Sequence, residues 1–275
     1  MAWRYSGFAM YPVYTNSEWS SLFEGTFVNR WLSFALFITL FVSVGCNGGC
    51  NLPDEPPADL VAYVTQAATN IRAANTFRLE ITLSGADHFI NVEVGENPSA
   101  TIQVAFHRAL AQYVADDELG AQVSVGSSVG RIDLDIYARD EDQWLRWANG
   151  PWLHVQFAPG FNPRALIAED AGFQVALASL NNLEYIGPET LEDGTEVQHL
   201  SGTARGVDVT ALLVGLIEAR EDVTVDVYIN CENYPARVVI RQPETVTESE
   251  PVPTTWTVDV YDINSEPALI KPENP

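Results

Sequence analysis

Apolar and polar residues alternate with a period of two along six stretches of the chain. Successive side chains of a β-strand point to opposite faces, so this pattern predicts strands with one apolar face and one solvent-exposed face. Strands of this kind are typical of antiparallel sheets. The six stretches are Thr76–Leu83, Thr101–Phe106, Arg131–Tyr137, Val223–Ile229, Arg237–Arg241 and Trp256–Val260.

Four other segments carry apolar residues three or four positions apart, which predicts amphipathic helices. Because each helix has one apolar stripe and the sheet has one apolar face, the pattern predicts an α+β fold, with helices packed on one face of a curved antiparallel sheet. The segments are Leu60–Ile71 after Pro57, a short helix opened by Asn162-Pro163, Phe173–Leu180, and Val209–Leu216 with Asp208 as its N-cap.

An uncharged apolar run extends from Trp31 to Val44 and follows Arg30. It is shorter than the roughly 20 residues of a transmembrane helix, and it has the length and flanks of a secretory signal. Its end, Ser43-Val44-Gly45-Cys46, resembles a bacterial lipobox, although Ser43 stands where Leu is usual. We predict a signal peptide over residues 28–45 and a lipidated Cys46. An uncleaved signal anchor and a buried helix are the alternatives.

Residues 1–27 do not fit the short basic start of a signal peptide, because they include Glu18 and Glu24. We therefore expect translation to start at Val28 and residues 1–27 to be a non-native extension. Residues 46–57 are rich in Gly, Pro and Asn and predict a flexible tether. A single domain is then expected over residues 58–267, followed by a loose tail at residues 268–275.

Charge and cysteine content narrow the classes of function. Lys and Arg total 14 while Asp and Glu total 37, giving a net charge of -23. So acidic a surface repels nucleic acid, and we expect no nucleic-acid partner. The three cysteines, Cys46, Cys50 and Cys231, form no CxxC pair and predict neither a disulfide framework nor a zinc site. A disulfide between Cys50 and Cys231 is an option, but a free thiol at Cys231 is the expectation.

Catalytic patterns are missing from the sequence. The four histidines lie at none of the spacings of zinc proteases, and Gly126–Gly130 does not have the spacing of a nucleophile elbow. The acidic runs at 116–118 and 140–142 are typical of solvated turns. We therefore expect a protein that is not an enzyme, with no catalytic residues, no metal ligands and no cofactor.

Five segments in a fixed order carry a resemblance to a known family. Together with the lipobox they resemble the LppX/LprA/LprF/LprG type of bacterial lipoprotein, over roughly Pro57 to Pro267. The segments are TFRLEITLSG from Thr76, QWLRWANGPW from Gln143, the run Leu183–Gly206, VTVDVYIN after Asp222, and YPARVVI from Tyr234.

The resemblance implies a half-open β-barrel, similar to the LolA/LolB carriers, with helices over its concave side. In that family an apolar cavity between sheet and helices takes acyl chains of lipids or glycolipids, which members move or present. Cys46 matches the family's lipidated cysteine, which implies a lipid anchor on the outer face of the cytoplasmic membrane. An envelope protein is a further potential partner.

The apolar faces supply the candidate cavity residues, which could equally form a solid core. Trp144, Trp147 and Trp152 could line the mouth of a pocket or form cross-strand pairs in a hairpin. The alternative function is an interaction or structural lipoprotein with no cavity and an exposed apolar patch. The candidates are Phe77, Leu79, Ile81, Ile132, Leu134, Ile136, Trp144, Trp152, Phe173, Leu177, Leu212 and Leu216.

Overall fold

The computed structural model describes most of the chain after residue 51. The chain divides into two compact units, Met1–Asn47 and Gly48–Pro275, and every described residue belongs to the second. The predicted extension, signal peptide and lipidated Cys46 therefore lie outside the described residues, as does Leu216. The described residues are 52–53, 55–93, 101–127, 130–155, 161–210, 212 and 219–273.

Short helices and twelve strands make up the described part of the chain. The helices are α1 (Leu60–Arg72), α2 (Gly172–Ala178) and α3 (Gly206–Thr210), with 3-10 turns at Pro163–Leu166 and Pro243–Thr245. The strands are β1 (Thr76–Ser84), β2 (Phe89–Glu93), β3 (Thr101–Val114), β4 (Glu118–Ser127), β5 (Gly130–Arg139), β6 (Asp142–Trp147), β7 (Leu153–His154), β8 (Asn181–Thr190), β9 (Glu196–Arg205), β10 (Asp222–Asn230), β11 (Pro235–Gln242) and β12 (Thr254–Tyr261).

All described strand pairs are antiparallel and belong to one sheet. Its order is β7-β6-β5-β4-β3-β1-β12-β11-β10-β9-β8, and β2 pairs with β3 beside this path. The first and last long strands, β1 and β12, thus pair at the centre, with Leu79 opposite Val260. The curved antiparallel sheet predicted from the alternation is confirmed, and so is the α+β class.

The two faces of the sheet differ as the alternation predicts. The inner face carries Phe77, Leu79 and Ile81 of β1, all at most 2% exposed, and it faces the helices. The outer face carries Arg78 and Glu80 of the same strand and is polar. Each fully buried Leu, Ile or Phe on the inner face contributes about 1.5–3 kcal/mol, so this face supplies most of the fold's stability.

Helices α1 and α2 cover one half of the inner face. α1 begins at a side-chain cap, in which Asp59 accepts a hydrogen bond from the Ala62 amide at 3.0 Å. It contacts α2, β8 and β11. Phe173 of α2 meets Phe77 edge to face, with ring centroids 6.0 Å apart. α2 begins at Gly172, which has a φ of +52°, and a Cβ there would lie 2.2 Å from the Leu166 carbonyl oxygen.

Two details of the chain, the role of Asp208 and the packing of the C-terminal tail, differ from the sequence prediction. Asp208 is not an N-cap, because α3 begins earlier, at Gly206, and Asp208 pairs with Arg205 at 2.7 Å. The tail expected to be loose contacts the outer face, where the Ala268 amide donates to Gln112 Oε1 at 2.8 Å. Lys271 also pairs with Glu118 at 3.2 Å.

The state of Cys231 also differs, since the sequence predicts a free thiol and the structure places Cys231 in a disulfide. The physical reason is that the segment after Cys50 is not a free tether throughout. The Gln198 side chain donates a hydrogen bond to the Pro53 carbonyl oxygen at 2.8 Å. The other half of the disulfide lies outside the described residues.

Candidate functional site

The inner face continues past the helices onto strands β3 to β7. The strand register places Leu79 of β1 beside Ala111 and Ala121, then beside Ile136 of β5 and Leu145 of β6. Residues directly opposite each other in an antiparallel pair share a face. The core face of β1 and the faces of β5 to β7 are therefore one continuous apolar surface.

Six apolar residues at the far end of this surface are not closed off. We call them the apolar strip. Trp147 is 61% exposed and Leu153 is 49% exposed, while the others are partly buried. None of them belongs to the hydrophobic core cluster of the described residues. The strip comprises Ile132, Leu134, Ile136, Leu145, Trp147 and Leu153.

Small side chains lie next to the apolar strip, at the edge of the packed core. These inner-face positions include Ala109 and Ala111 on β3 and Ala121 on β4. Alanine extends only one carbon from the backbone, so the surface is lower here than at Leu79 or Leu134. In the row from Leu79 to Ile136 the inner face therefore has a low apolar floor, formed by Ala111 and Ala121.

Coverage of the inner face differs between its two halves. Among the described elements, α1 contacts β8 and β11, α3 contacts β9, and the 3-10 turn at Pro163–Leu166 contacts β4. The described helices thus cover the half from β1 to β8 in sheet order. Against β5 to β7 they leave the apolar strip uncovered.

The sequence-predicted cavity residues are divided between these two halves. Ile132, Leu134 and Ile136 lie together on the apolar strip. The other inner-face candidates pack between helices and sheet, where each is at most 2% exposed. They are Phe77, Leu79, Ile81, Phe173, Leu177 and Leu212.

Two of the three predicted tryptophans, Trp144 and Trp152, lie on the outer face of the sheet. Trp144 lies opposite Tyr137 and His154 on the neighbouring strands, and its ring contacts theirs on the outer face, with centroids 5.4 Å and 5.1 Å away. The Trp152 ring lies under the guanidinium of Arg146, 4.7 Å from its centroid. These side chains therefore form cross-strand contacts on the outer face, away from the apolar strip.

Leu145 and Leu153 are members of the strip that the sequence did not single out, whereas Trp147 is the one predicted tryptophan that lies on the strip. Arg146 lies between Leu145 and Trp147 and ion-pairs with Asp135 at 2.7 Å on the outer face. Because neighbouring strand residues face opposite ways, a polar role for Arg146 assigns its two neighbours to the inner face. That signal was present in the sequence.

The outer face is charged and well paired. Arg108 pairs with Glu80 at 2.7 Å and Arg237 with Glu192 at 2.8 Å. A pocket of about 520 Å3 lies on this face, bordered by Glu80, Arg237 and Tyr261. Its charged lining does not correspond to the apolar cavity that the family resemblance implies, and its position is not between sheet and helices.

Burial raises the pKa of two tyrosines of the sheet, Tyr113 on β3 and Tyr137 on β5. Desolvation raises the pKa of Tyr113 to about 12, with smaller contributions from Asp116 and Asp117. Desolvation likewise raises the pKa of Tyr137 to about 12. Both hydroxyls therefore stay neutral at physiological pH, and neither is placed to act as a base.

Metal-binding geometry is not found in the described part of the chain, where no three His, Cys, Asp or Glu side chains could together hold a metal ion. Within the same residues, no helix is long and apolar enough to cross a membrane.

A family model described as LppX_LprAFG lipoprotein matches residues 57–266. That match covers well over half of the chain. This chain belongs to the LppX_LprAFG lipoprotein family. As a member of a lipoprotein family, it is assigned to an extracytoplasmic, membrane-associated location. No curated protein sequence matches it.

Solved structures agree with the LppX_LprAFG fold. LprF from Mycobacterium bovis superposes with a TM-score of 0.55 at 11% identity, covering 79% of this chain and 98% of LprF. The Mycobacterium tuberculosis lipoprotein LppX superposes with a TM-score of 0.51 at 14% identity, covering 77% of this chain and 98% of LppX. A LolA superfamily protein from Nitrosomonas europaea aligns at 11% identity with a TM-score of 0.26, over 77% of this chain and 96% of its own. For LprF and LppX, at these identities, the likeness concerns the fold alone.

Proposed function

We propose that this LppX_LprAFG lipoprotein binds a lipid or glycolipid by its acyl chains along the apolar strip, and carries or presents it outside the cytoplasm. The observation that carries the proposal is the exposure of the strip on the same face as the packed core. A monomeric soluble domain rarely leaves such a continuous apolar surface open without a partner.

The chemistry of the strip favours an acyl chain over a polar ligand. Its six residues present only hydrocarbon and indole surface, and each methylene group that leaves water there contributes about 0.8 kcal/mol. The polar groups of strands β5 and β6, such as Asp135 and Arg146, point to the outer face. A headgroup would therefore project beyond the strip while the chains lie on it.

The membrane anchor is the second half of the proposal. A diacylglyceryl group and an acyl chain on Cys46 would hold the protein stably at the outer face of the cytoplasmic membrane, because several chains bind far more tightly than one. The support is the lipobox-like Ser43–Cys46 sequence together with membership of a lipoprotein family. The anchor keeps the apolar strip close to the lipids that it would accept.

Native mass spectrometry of the compact unit Gly48–Pro275 tests whether the domain binds a lipid. We expect a population heavier than the polypeptide by the mass of a lipid, and extraction of that lipid in organic solvent. A double variant, Leu134→Asn with Trp147→Ser, should lose the ligand. Val252→Asn is the matched control, because Val252 is 56% exposed and lies in the loop before β12. Equal lipid in both variants would remove the strip from the proposal.

A protein partner is the second candidate, and the exposed Trp147 and Leu153 favour it. The adjacent β7 has only two residues and is the edge strand of the sheet, so a partner could cover both the edge and the strip. This candidate predicts a ligand-free domain whose strip residues crosslink to an envelope protein in cells. Copurified lipid that depends on Leu134 and Trp147 would favour the first candidate.

A further inference from the structure

We propose that Cys50 is the disulfide partner of Cys231, so that Cys46 is the one thiol left for the lipid. The folded domain is then held to the membrane by a spacer of only three residues, Asn47-Gly48-Gly49. This inference rests on the proposed lipidation of Cys46 and goes beyond it, because it fixes how far the domain stands from its anchor and which end faces it.

The position of Cys231 is fixed by the turn between β10 and β11. In this turn the Asn233 amide donates to the Asn230 carbonyl oxygen at 2.9 Å. The Tyr234 amide donates to Asn230 Oδ1 at 2.9 Å. Asn70 of α1 also donates from Nδ2 to the Asn233 carbonyl oxygen at 2.8 Å. A cysteine in a turn held by three hydrogen bonds offers a stationary sulfur to its partner.

The segment that follows Cys50 passes close to this turn. Pro53 is held by Gln198, a fully buried residue that donates from Nε2 to the Pro53 carbonyl oxygen at 2.8 Å. Tyr185 donates in turn to Gln198 Oε1. Gln198 lies opposite Ile229 in the pairing of β9 with β10, two residues before Cys231.

Chain length makes Cys50 a suitable partner. Neighbouring strands lie about 4.8 Å apart and two residues of a strand span about 7 Å, so Gln198 and Cys231 are close neighbours. The three residues from Cys50 to Pro53 span at most about 10 Å, and a disulfide joins Cα atoms about 5–6 Å apart.

Chemistry separates Cys46 from Cys50. Lipidation turns a thiol into a thioether, which cannot also form a disulfide. The sequence holds three cysteines, so a lipidated Cys46 leaves only Cys50 for Cys231. In the pairing step the two thiols lose two protons and two electrons to the disulfide of an extracytoplasmic thiol oxidoreductase, which is reduced to its dithiol. Such exchange is the normal route outside the cytoplasm.

The spacer sets the distance between the domain and the membrane. Four residue steps from Cys46 to Cys50 span at most about 14 Å. The Pro-rich segment after Cys50 is then tied to the domain by the disulfide, and it does not lengthen the spacer between the domain and the membrane. The strand ends beside the Cys231 turn, including the turn between β8 and β9, therefore face the bilayer.

Counting reactive thiols tests the pairing without requiring folded variants. The full chain is exported in cells, its free thiols are labelled with a maleimide in sodium dodecyl sulfate without reductant, and the label is counted by mass. We expect no label on the wild-type chain, one label on Cys50→Ser and none on Cys46→Ala. The lipid on Cys46 is read from the same mass and should be absent only in Cys46→Ala.

Two other patterns would overturn the proposal in different ways. A disulfide between Cys46 and Cys231 would give one label on the wild-type chain, none on Cys50→Ser and two on Cys46→Ala. An unlipidated Cys46 would give one label on the wild-type chain, two on Cys50→Ser and none on Cys46→Ala. The second pattern removes the anchor and the short spacer but leaves the Cys50 pairing intact, so the two failures are distinguishable.

Discussion

The two halves of the inner face have the same alternation of apolar and polar residues, but their side chains differ in how deeply they are buried. From β1 across β12 to β8, the inner-face side chains pack against α1 and α2, and Leu79 and Val258 are fully buried. From β4 to β7 the same face ends in the apolar strip, where Trp147 is 61% exposed. The difference lies in what covers the sheet.

This contrast shows that alternation reports the face of a residue but not its burial. Leu79 on β1 and Leu134 on β5 both occupy inner-face positions, and two strands, β3 and β4, lie between them. Leu79 belongs to the core cluster and Leu134 does not. In the packed half, apolar surface stabilises the fold. In the open half, the same kind of surface remains available for a ligand or a partner.

The largest expected effect comes from making the same substitution in both halves. Leu79→Ala should lower the free energy of unfolding by about 2–5 kcal/mol, because it leaves a cavity in a packed core. Leu134→Ala should cost about 1 kcal/mol or less, since water already reaches the strip. Urea unfolding of the two variants measures both values. Similar losses of stability in the two variants would mean that the apolar strip is packed core, and would contradict the difference between the two halves.

Much of the fold follows from the sequence because period and spacing are local properties. The strands around Phe77, Ile132, Val225 and Trp256 were predictable, as was α1. β4 was missed because its sequence, ELGAQVSVGS, is rich in Gly, Ala and Ser, and Leu119, Val123 and Val125 are its larger inner-face residues. Small residues give a weak alternation even where they form the floor of a surface.

The candidate site was less predictable because coverage depends on tertiary packing. Ile132, Leu134 and Ile136 were identified along with residues that proved to be packed core, such as Phe173. Nothing in the sequence says that α2 packs over Phe77 and leaves β5 uncovered. The state of Cys231 was missed for a related reason, since the contact between Gln198 and Pro53 joins residues 145 positions apart.

The disulfide should stabilise the packed half without affecting the apolar strip, because Cys231 lies in the turn between β10 and β11. Cys231→Ser should lower the free energy of unfolding by about 2–4 kcal/mol, since the crosslink restricts the unfolded chain. Lipid binding by the folded protein should be unchanged, because the strip lies on other strands. Urea unfolding with and without reductant measures the effect.

The matched control for Cys231→Ser is Cys46→Ala, whose unfolding should still respond to reductant. The wild-type chain should lose about as much stability on reduction as Cys231→Ser loses by substitution. A Cys231→Ser variant as stable as the oxidised chain would contradict a structural role for the crosslink.

Alkaline unfolding tests the packing around the tyrosines of each half. Burial raises the pKa of Tyr113 to about 12 from a usual value of 10.0. The unfolded chain therefore loses this proton first as pH rises above 10, and stability that is present below pH 10 is lost toward pH 12. At pH 11 the loss should be about 1.4 kcal/mol for one such tyrosine.

Tyr113→Phe should flatten this dependence of the free energy of unfolding on pH between 10 and 11. Tyr137→Phe should flatten it too, because burial also raises the pKa of Tyr137, on the outer face of β5, to about 12. Urea unfolding at pH 8, 10 and 11 supplies the slopes. An unchanged slope in Tyr113→Phe would show that water reaches its hydroxyl.

The smallest stability effects, and the sharpest contrast, are expected from two neighbours on β6. Arg146 faces outward, pairs with Asp135 at 2.7 Å and stacks on Trp152, so Arg146→Ala should cost about 0.5–1 kcal/mol of stability. Lipid binding should be unaffected. Trp147→Ala should leave stability within about 0.5 kcal/mol and weaken binding of a pyrene-labelled phospholipid at least tenfold. If both variants bind the probe equally, the open half of the inner face is not the lipid site, and a protein partner becomes the better explanation for its exposure.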